Sequence, residues 1–347
     1  MDPVRKSVCV TGAGGFVASE LVKLLLSRGQ YAVRGTVRDP DADRETWECG
    51  TAFFLEVERS SRFFIKKGAS KNAHLKVLEG AEERLQLLKA DLMDYDSIAS
   101  AVAGCEGVFH VASPVLSHRP SNPEVEVIAP AVIGTTNVLK ACYEAKVRRV
   151  VVVSSCGAVY ANPIYPKGKV FDEDCWSDED YCRKKEDWYL VSKTLSEREA
   201  LAFAAKTGLD VVTVCPSLVF GPLMQPTVNL SSEMILKYFK ADLETVENVL
   251  SNMVDIRDVA DALLLTYEKP EASGRYICSS HAIKISDMIN ILKTMYPSYP
   301  YPKNFVEDDV NSVYSSEKLQ KLGWSFKPIE ESLRDTVESY KAFGILN

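Results

Sequence analysis

Tyr189 and Lys193 stand four residues apart, so a helix would place the phenol and the ammonium on one face. A lysine cation beside a phenol favours its ionised form and makes tyrosine a usable acid. Ser155 closes the run at residues 150–155 (VVVVSS), which reads as a buried strand, and its hydroxyl could hold a carbonyl oxygen next to that phenol. Together the three would suffice to protonate a carbonyl as it is reduced. Because Tyr-x-x-x-Lys alone is a frequent surface pair, the reading depends on whether the chain also carries a site for a reductant.

The N-terminal region supplies one. A short β-branched strand from Ser7 runs into Gly12, Gly14 and Gly15, followed by Phe16, Val17 and Ala18 at the start of an amphipathic stretch that ends at Arg28 and Gly29. Glycines allow the backbone to approach a pyrophosphate, and the free N–H groups of the following helix attract that anion. The spacing Gly12, Gly15, Ala18 departs from the commoner G-x-G-x-x-G. A second strand at residues 31–38 ends in Arg38, where an NAD site would place an acid on the ribose 2′-hydroxyl. A cation there suits a 2′-phosphate and points to NADP; a solvated surface arginine is the alternative.

These groups need a scaffold, and the pattern of the chain describes one. Strand-like segments at 85–91, 107–111, 149–154 and 210–215 alternate with helix-like segments at 96–103 and 131–145 and with the Tyr189/Lys193 helix, which runs to Lys206 and ends at Gly208. The alternation predicts an α/β fold, a doubly wound parallel sheet of the Rossmann type. Residues 1–215 form the cofactor domain in this reading. Residues 216–347, including a helix at 258–268 and a strand at 275–278, form mostly a smaller C-terminal substrate lobe that is not an independent domain.

Composition narrows the class. The 347 residues are 46% hydrophobic and 26% charged, enough for a large core. A net charge of −7 gives no electrostatic case for nucleic acid or an anionic membrane, and no apolar run reads as a membrane span. Nine scattered cysteines without metal spacing fit a reducing, cytoplasmic setting. The four histidines form no cluster, so no metal is expected. The first strand follows so closely on Met1 that no signal peptide is expected. The partner is a small-molecule substrate; oligomeric state is left open.

On these residues the chain resembles an extended short-chain dehydrogenase/reductase over nearly its whole length. The resemblance is carried by residues 11–16 (TGAGGF), 38–40 (RDP), 91–92 (DL), 110–114 (HVASP), the serine pair and Tyr189/Lys193. More narrowly, residues 71–75 (KNAHL), 175–178 (CWSD) and 221–229 (GPLMQPTVN) are similar to plant cinnamoyl-CoA reductases, to which dihydroflavonol reductases are related. The resemblance implies that Tyr189 donates the proton, Lys193 holds the nicotinamide ribose and Ser155 steadies the oxygen, with Ser154 as the fallback. It implies that Gly12, Gly14, Gly15, Phe16 and Val17 surround the pyrophosphate, Arg38 binds the 2′-phosphate, and Asp91 and Leu92 border the adenine. Ala112, Ser113 and Pro216 would line the cofactor, with Met234, Lys237 and Ser155 on the substrate. Asn137 either supports the active site or is an ordinary helix-surface asparagine.

The departures bear on the substrate. Cinnamoyl-CoA reductases share an Asn-Trp-Tyr-Cys-Tyr-Gly-Lys stretch, whereas residues 187–193 read DWYLVSK; Cys182 therefore lacks a partner thiol, because Leu190 stands there. Of the family's His, Lys and Arg anchors, only Lys237 remains: Met234 takes the histidine position, and the arginine falls near Ile285, beside Lys284. This argues against a CoA thioester. A long insertion at residues 43–70 is either a lid or a tolerated surface segment. The reading is an NADPH-dependent reductase of an aromatic or phenylpropanoid-type carbonyl, with a nucleotide-sugar epimerase or dehydratase, or an idle NADP-binding regulator, as alternatives.

Overall fold

The computed structural model describes residues 5–40, 72–113, 120–225, 227–240, 243–308 and 312–346; the insertion at 43–70 lies outside them. Seven strands form the central sheet: β1 (Lys6–Val10), β2 (Tyr31–Val37), β3 (Leu85–Lys89), β4 (Gly107–His110), β5 (Arg149–Val153), β6 (Val211–Pro216) and β7 (Gly274–Cys278). Their order is β7-β6-β5-β4-β1-β2-β3, and every pairing is parallel. The chain winds outward through β1, β2 and β3, then restarts at β4 on the other side of β1. This creates the crevice at the strands' carboxyl ends where such sheets bind ligands.

Helices α1 (Phe16–Ser27), α2 (Tyr95–Val102), α3 (Ala129–Glu144), α4 (Trp188–Thr207) and α5 (Ile256–Glu268) cover the two faces. In α1, Ala18, Leu21, Val22, Leu25 and Leu26 are buried, an apolar stripe at helical spacing that packs with α5 on one face of the sheet. On the other face α2, α3 and α4 pack around Val138, Leu139, Val150 and Val152. A π-helical turn, Glu124–Ile128, leads straight into α3. The resulting 21-residue helix is long and apolar enough to cross a membrane by composition, and half of it is buried inside the protein. No such run was apparent in the sequence, because Pro130 and the charges before it mask the continuity.

The C-terminal region differs from its sequence reading in one respect. Helix α5 and strand β7, expected in the lobe, belong to the large sheet: β7 pairs with β6 along its whole length, and α5 packs against α1. The chain leaves the sheet after Pro216, builds part of the lobe, and returns. The lobe thus comprises strands Leu218–Phe220, Leu250–Asp255 and His281–Lys284. Helices Leu230–Leu236, Ile285–Met295 and Ile329–Ala342 and a two-stranded sheet of Thr245–Asn248 with Asn304–Glu307 pack with them. Its separate core contains Phe220, Ile235, Phe239, Ile289, Leu292 and Leu333.

Asp258 joins α5 to the segment leading into the last helix. Its carboxylate accepts the Lys327 N–H at 3.0 Å, and its carbonyl accepts the Trp324 indole N–H at 2.9 Å. Burial, opposed by the Lys327 N–H and reinforced by Asp255, pushes its pKa up to about 7 from 3.8. The folded chain therefore keeps a proton that the unfolded chain has released, so this contribution to stability is present below pH 3.8 and lost as pH rises through 7. Asp258→Asn should be more stable than wild type at pH 8 by about 1–3 kcal/mol and should lose that advantage at low pH. Urea denaturation at both pH values measures this, and equal stability at pH 8 would refute it.

Candidate active site

The turn after β1 brings backbone close to backbone. Gly12 has φ +67°, and a Cβ there would lie 3.0 Å from the Ala112 Cβ, so a side chain would be both strained and crowded. The Gly12 N–H donates to Thr36 Oγ1 at 3.1 Å, and the Gly15 N–H donates to the Gly12 carbonyl at 2.8 Å. Gly15 caps α1 without a side-chain hydrogen bond. The amides of Phe16 and Val17, which precede the first intrahelical bond, therefore face the crevice as donors for an anion. A glycine-lined cradle before an uncapped helix start fits a dinucleotide pyrophosphate.

The other predicted cofactor residues follow the ends of neighbouring strands. Arg38 is exposed just beyond β2. Past β3, Asp91 is exposed and accepts the Met93 N–H at 2.8 Å, while the Leu92 side chain packs against Gly134. Asn137 donates to the Leu92 carbonyl at 2.8 Å and so fixes this connection. The N–H of Ala112, which precedes Ser113 beyond β4, donates to Thr11 Oγ1 at 3.0 Å. Pro216 closes β6 opposite Cys278.

A buried histidine ties these loops together. Thr11 Oγ1 accepts from both Val111 and Ala112, so its own proton is directed to His110 Nδ1, 3.0 Å away. The proton of the neutral ring then sits on Nε2 and points to Thr135 Oγ1 at 3.2 Å. Burial, with Lys193 nearby, pushes the His110 pKa down to about 3, which keeps the ring neutral. The chain Thr11–His110–Thr135 thereby links the glycine turn to α3.

Ser155, Tyr189 and Lys193 converge at the end of β5. Asp187 caps α4 by accepting the Leu190 N–H at 3.2 Å, which starts the helix one residue before Tyr189. Ser155 has extended backbone, and its Oγ accepts the Gly157 N–H at 3.0 Å. A Cβ on Gly157 would lie 3.3 Å from Ser155 Oγ, 3.4 Å from Tyr189 Cε1 and 2.6 Å from Leu190 Cδ2. Serine hydroxyl and tyrosine ring thus flank one point, which only glycine leaves open. Tyr189 is 41% exposed. Lys193, 8% exposed, lies with its Nζ 5.9 Å from the Tyr189 ring centroid and donates to the Val153 carbonyl at 3.5 Å. A cavity of about 20 Å³ beside it is lined by His110, Thr135, Ser154, Ser196 and Glu197 together with Ala112, Ser113, Ala131, Val152 and Val153.

Ser154 faces away from this point. It is buried, and its hydroxyl donates to Glu197 Oε2 at 2.8 Å. Glu197 also accepts from Thr213 and Cys215 and pairs with Arg275 at 2.8 Å, both side chains being nearly inaccessible. Sequence reasoning missed this pair, although Glu197 lies one turn beyond Lys193. It also missed the contact of Asn72, whose side chain approaches Gly14 and donates to the Asp39 carbonyl at 2.9 Å.

The predicted substrate residues lie on the lobe. Met234 is 46% exposed on the helix Leu230–Leu236. Lys237 follows on a 3-10 turn, its Nζ 4.9 Å from the Tyr238 ring centroid. Partial burial pushes the Lys237 pKa down, against the opposing charge of Glu247. Among the described residues neither makes a hydrogen bond or ring contact with Ser155, Tyr189 or Lys193. Lys284 pairs with Glu307 and Ile285 is buried. Cys182 is a buried thiol, its pKa pushed up to about 11 chiefly by burial.

Comparison with known proteins agrees with this architecture. Residues 8–278 match the NAD dependent epimerase/dehydratase family. Cinnamoyl-CoA reductase 1 of Petunia hybrida is 45% identical over 98% of this chain and 93% of its own length. The crystal structure of vestitone reductase from alfalfa (Medicago sativa) is similar with a TM-score of 0.78 and 32% identity, covering 99% of this chain and 100% of that one. The yeast methylglyoxal/isovaleraldehyde reductase complexed with NADPH shares the fold, with a TM-score of 0.78 at 24% identity over 98% of this chain and 100% of that one. The chain therefore belongs to the NAD dependent epimerase/dehydratase family, and within it to the extended short-chain reductases that include the cinnamoyl-CoA reductases.

Proposed function

We propose that this protein reduces an aromatic, phenylpropanoid-type carbonyl with NADPH, using Tyr189 as proton donor. The observation that carries the reading is the placement of the Ser155 hydroxyl and the Tyr189 ring about one point, with the Lys193 ammonium 5.9 Å from the centre of that ring. Gly12, Gly14, Gly15, Phe16 and Val17 would hold the pyrophosphate, Arg38 the 2′-phosphate, Asp91 and Leu92 the adenine end, and Ala112, Ser113 and Pro216 the nicotinamide side. NADPH, bound there, supplies a hydride to the carbonyl carbon. Ser155 donates a hydrogen bond to the carbonyl oxygen and orients it toward Tyr189. Tyr189 then passes its proton to that oxygen as negative charge develops. Lys193 offsets the charge left on the phenol, and its bond to the Val153 carbonyl keeps the ammonium in place.

For an aldehyde or ketone the product is an alcohol; for a thioester the intermediate collapses, expelling the thiolate and leaving an aldehyde. We favour aldehydes and ketones. Lys237 is the single cation at the family's anchor positions, and Met234 offers apolar surface where a histidine would bind. One flexible ammonium is a weak hold for a polyanionic tail. The test is kcat/KM for NADPH oxidation with coumaroyl- and feruloyl-CoA against cinnamaldehydes, phenylacetaldehyde and dihydroflavonols. Higher kcat/KM for a CoA ester than for every aldehyde and ketone would overturn the preference, and no turnover with any compound would overturn the activity.

Arg38 carries a second expectation. A charge-assisted contact to the 2′-phosphate contributes about 1.5–3 kcal/mol, so NADPH should be preferred over NADH by about tenfold or more. Arg38→Ala should remove most of that preference without loss of NADH efficiency, and equal use of both cofactors by the wild type would refute it. We place the protein in the cytosol, a setting suited to its eight buried free thiols among the described residues.

A further inference from the structure

Burying two charges seldom adds net stability over an apolar pair of similar size, so the Glu197–Arg275 pair invites the question of what it holds. Glu197 projects from α4 one turn beyond Lys193 and receives the Ser154 hydroxyl at 2.8 Å. Arg275, on β7, donates to the carbonyls of Ala158, Glu173 and Cys175 at 3.5, 2.9 and 2.7 Å. Its guanidinium lies 3.5 Å from the Trp176 ring centroid. The segment 156–177 that follows Ser155 is fastened again where Ser177 donates to the Gly157 carbonyl at 2.8 Å. The residue before Ser155 and the residue three after it are therefore both tied, through one ion pair, to the helix that carries Tyr189 and Lys193.

We infer that Glu197 and Arg275, acting through Ser154, are positioning residues that set the Ser155 hydroxyl against the Tyr189 phenol. The inference rests on the role given to Ser155 above. Both side chains are nearly inaccessible, so the pair acts on the site through the residues it holds. The pair fixes the direction of one hydroxyl by making the end of β5 and the turn at 156–158 follow α4 as a unit.

A double-mutant cycle between residues 154 and 155 tests this. Ser154→Ala cuts the link while leaving Glu197 paired with Arg275, and it should lower kcat about 10- to 100-fold, the scale of a misplaced catalytic group. Carbonyl KM and NADPH affinity by fluorescence titration should stay near wild type while the thermal midpoint falls by several degrees as Glu197 loses a donor, and Ser154→Thr should recover most of both losses. In a Ser155→Ala background the same Ser154→Ala change should cost nothing further, because the group being positioned is gone. The double variant Glu197→Leu, Arg275→Met, which removes the acceptor of the Ser154 hydroxyl and leaves no unpaired buried charge, should lose turnover in the same way and again only when Ser155 is present. Equal losses in both backgrounds, or wild-type turnover in Ser154→Ala, would overturn the inference. Wild-type turnover in Ser155→Ala would instead remove Ser155 from the mechanism, a failure of the underlying reading that the cycle identifies separately.

Discussion

Tyr189→Phe should cut kcat by a factor of about 10² or more while leaving NADPH affinity close to wild type. The substitution removes one oxygen from a ring that is 41% exposed, so neither packing nor the cap of α4 changes, and the loss reads on proton delivery alone. Lys193→Ala should damage both turnover and cofactor binding, because its ammonium lies near the Tyr189 ring and is the group expected to hold the nicotinamide ribose. Steady-state kinetics with the best carbonyl, paired with fluorescence titration of NADPH, separates the two effects. Turnover within a few-fold of wild type in Tyr189→Phe would sink the assignment of the acid.

Arg275→Met should destabilise the protein by about 3–5 kcal/mol. Methionine fills much of the same space, so the loss comes from electrostatics: the Glu197 carboxylate, fully buried, keeps the Ser154, Thr213 and Cys215 donors but loses its counter-charge. The carbonyls of Glu173 and Cys175 lose a donor as well. Pairing the change with Glu197→Gln should restore most of the stability. Guanidinium denaturation of the single and double variants checks this; a single variant as stable as wild type would show that water or a neighbouring group compensates the acid.

What could be read from the sequence was local. The glycine turn, the strand before it and the i, i+4 placement of Tyr189 and Lys193 each lie within a few residues, where backbone geometry alone decides what meets what. The position of Ser155 just past a strand was legible because an uninterrupted valine run precedes the serine pair. Partnerships that cross the chain were not. Arg275 meets Glu197 across 78 positions, and nothing in GRYIC marks the arginine as buried. Asn137 looked like a support for the active site or a plain surface residue, and its partner is the Leu92 carbonyl, which only the packing of α3 beside the β3–α2 connection supplies. The destination of β7 was misread for the same reason: a short apolar strand pairs wherever an open edge is available, and that edge belongs to β6.

That return of the chain to β6 limits how the protein can be divided. Because the edge strand beside β6 begins only at Gly274, a fragment ending at the apparent boundary near 216 would expose the full hydrogen-bonding edge of β6, a buried valine-rich strand. Such an edge recruits other chains. The two halves of the crevice are therefore a single unit of expression and of inheritance: neither the dinucleotide half nor the substrate half could be exchanged with a relative's by one crossover at that point, and a chimera would have to swap two separate stretches to keep β7 with its sheet.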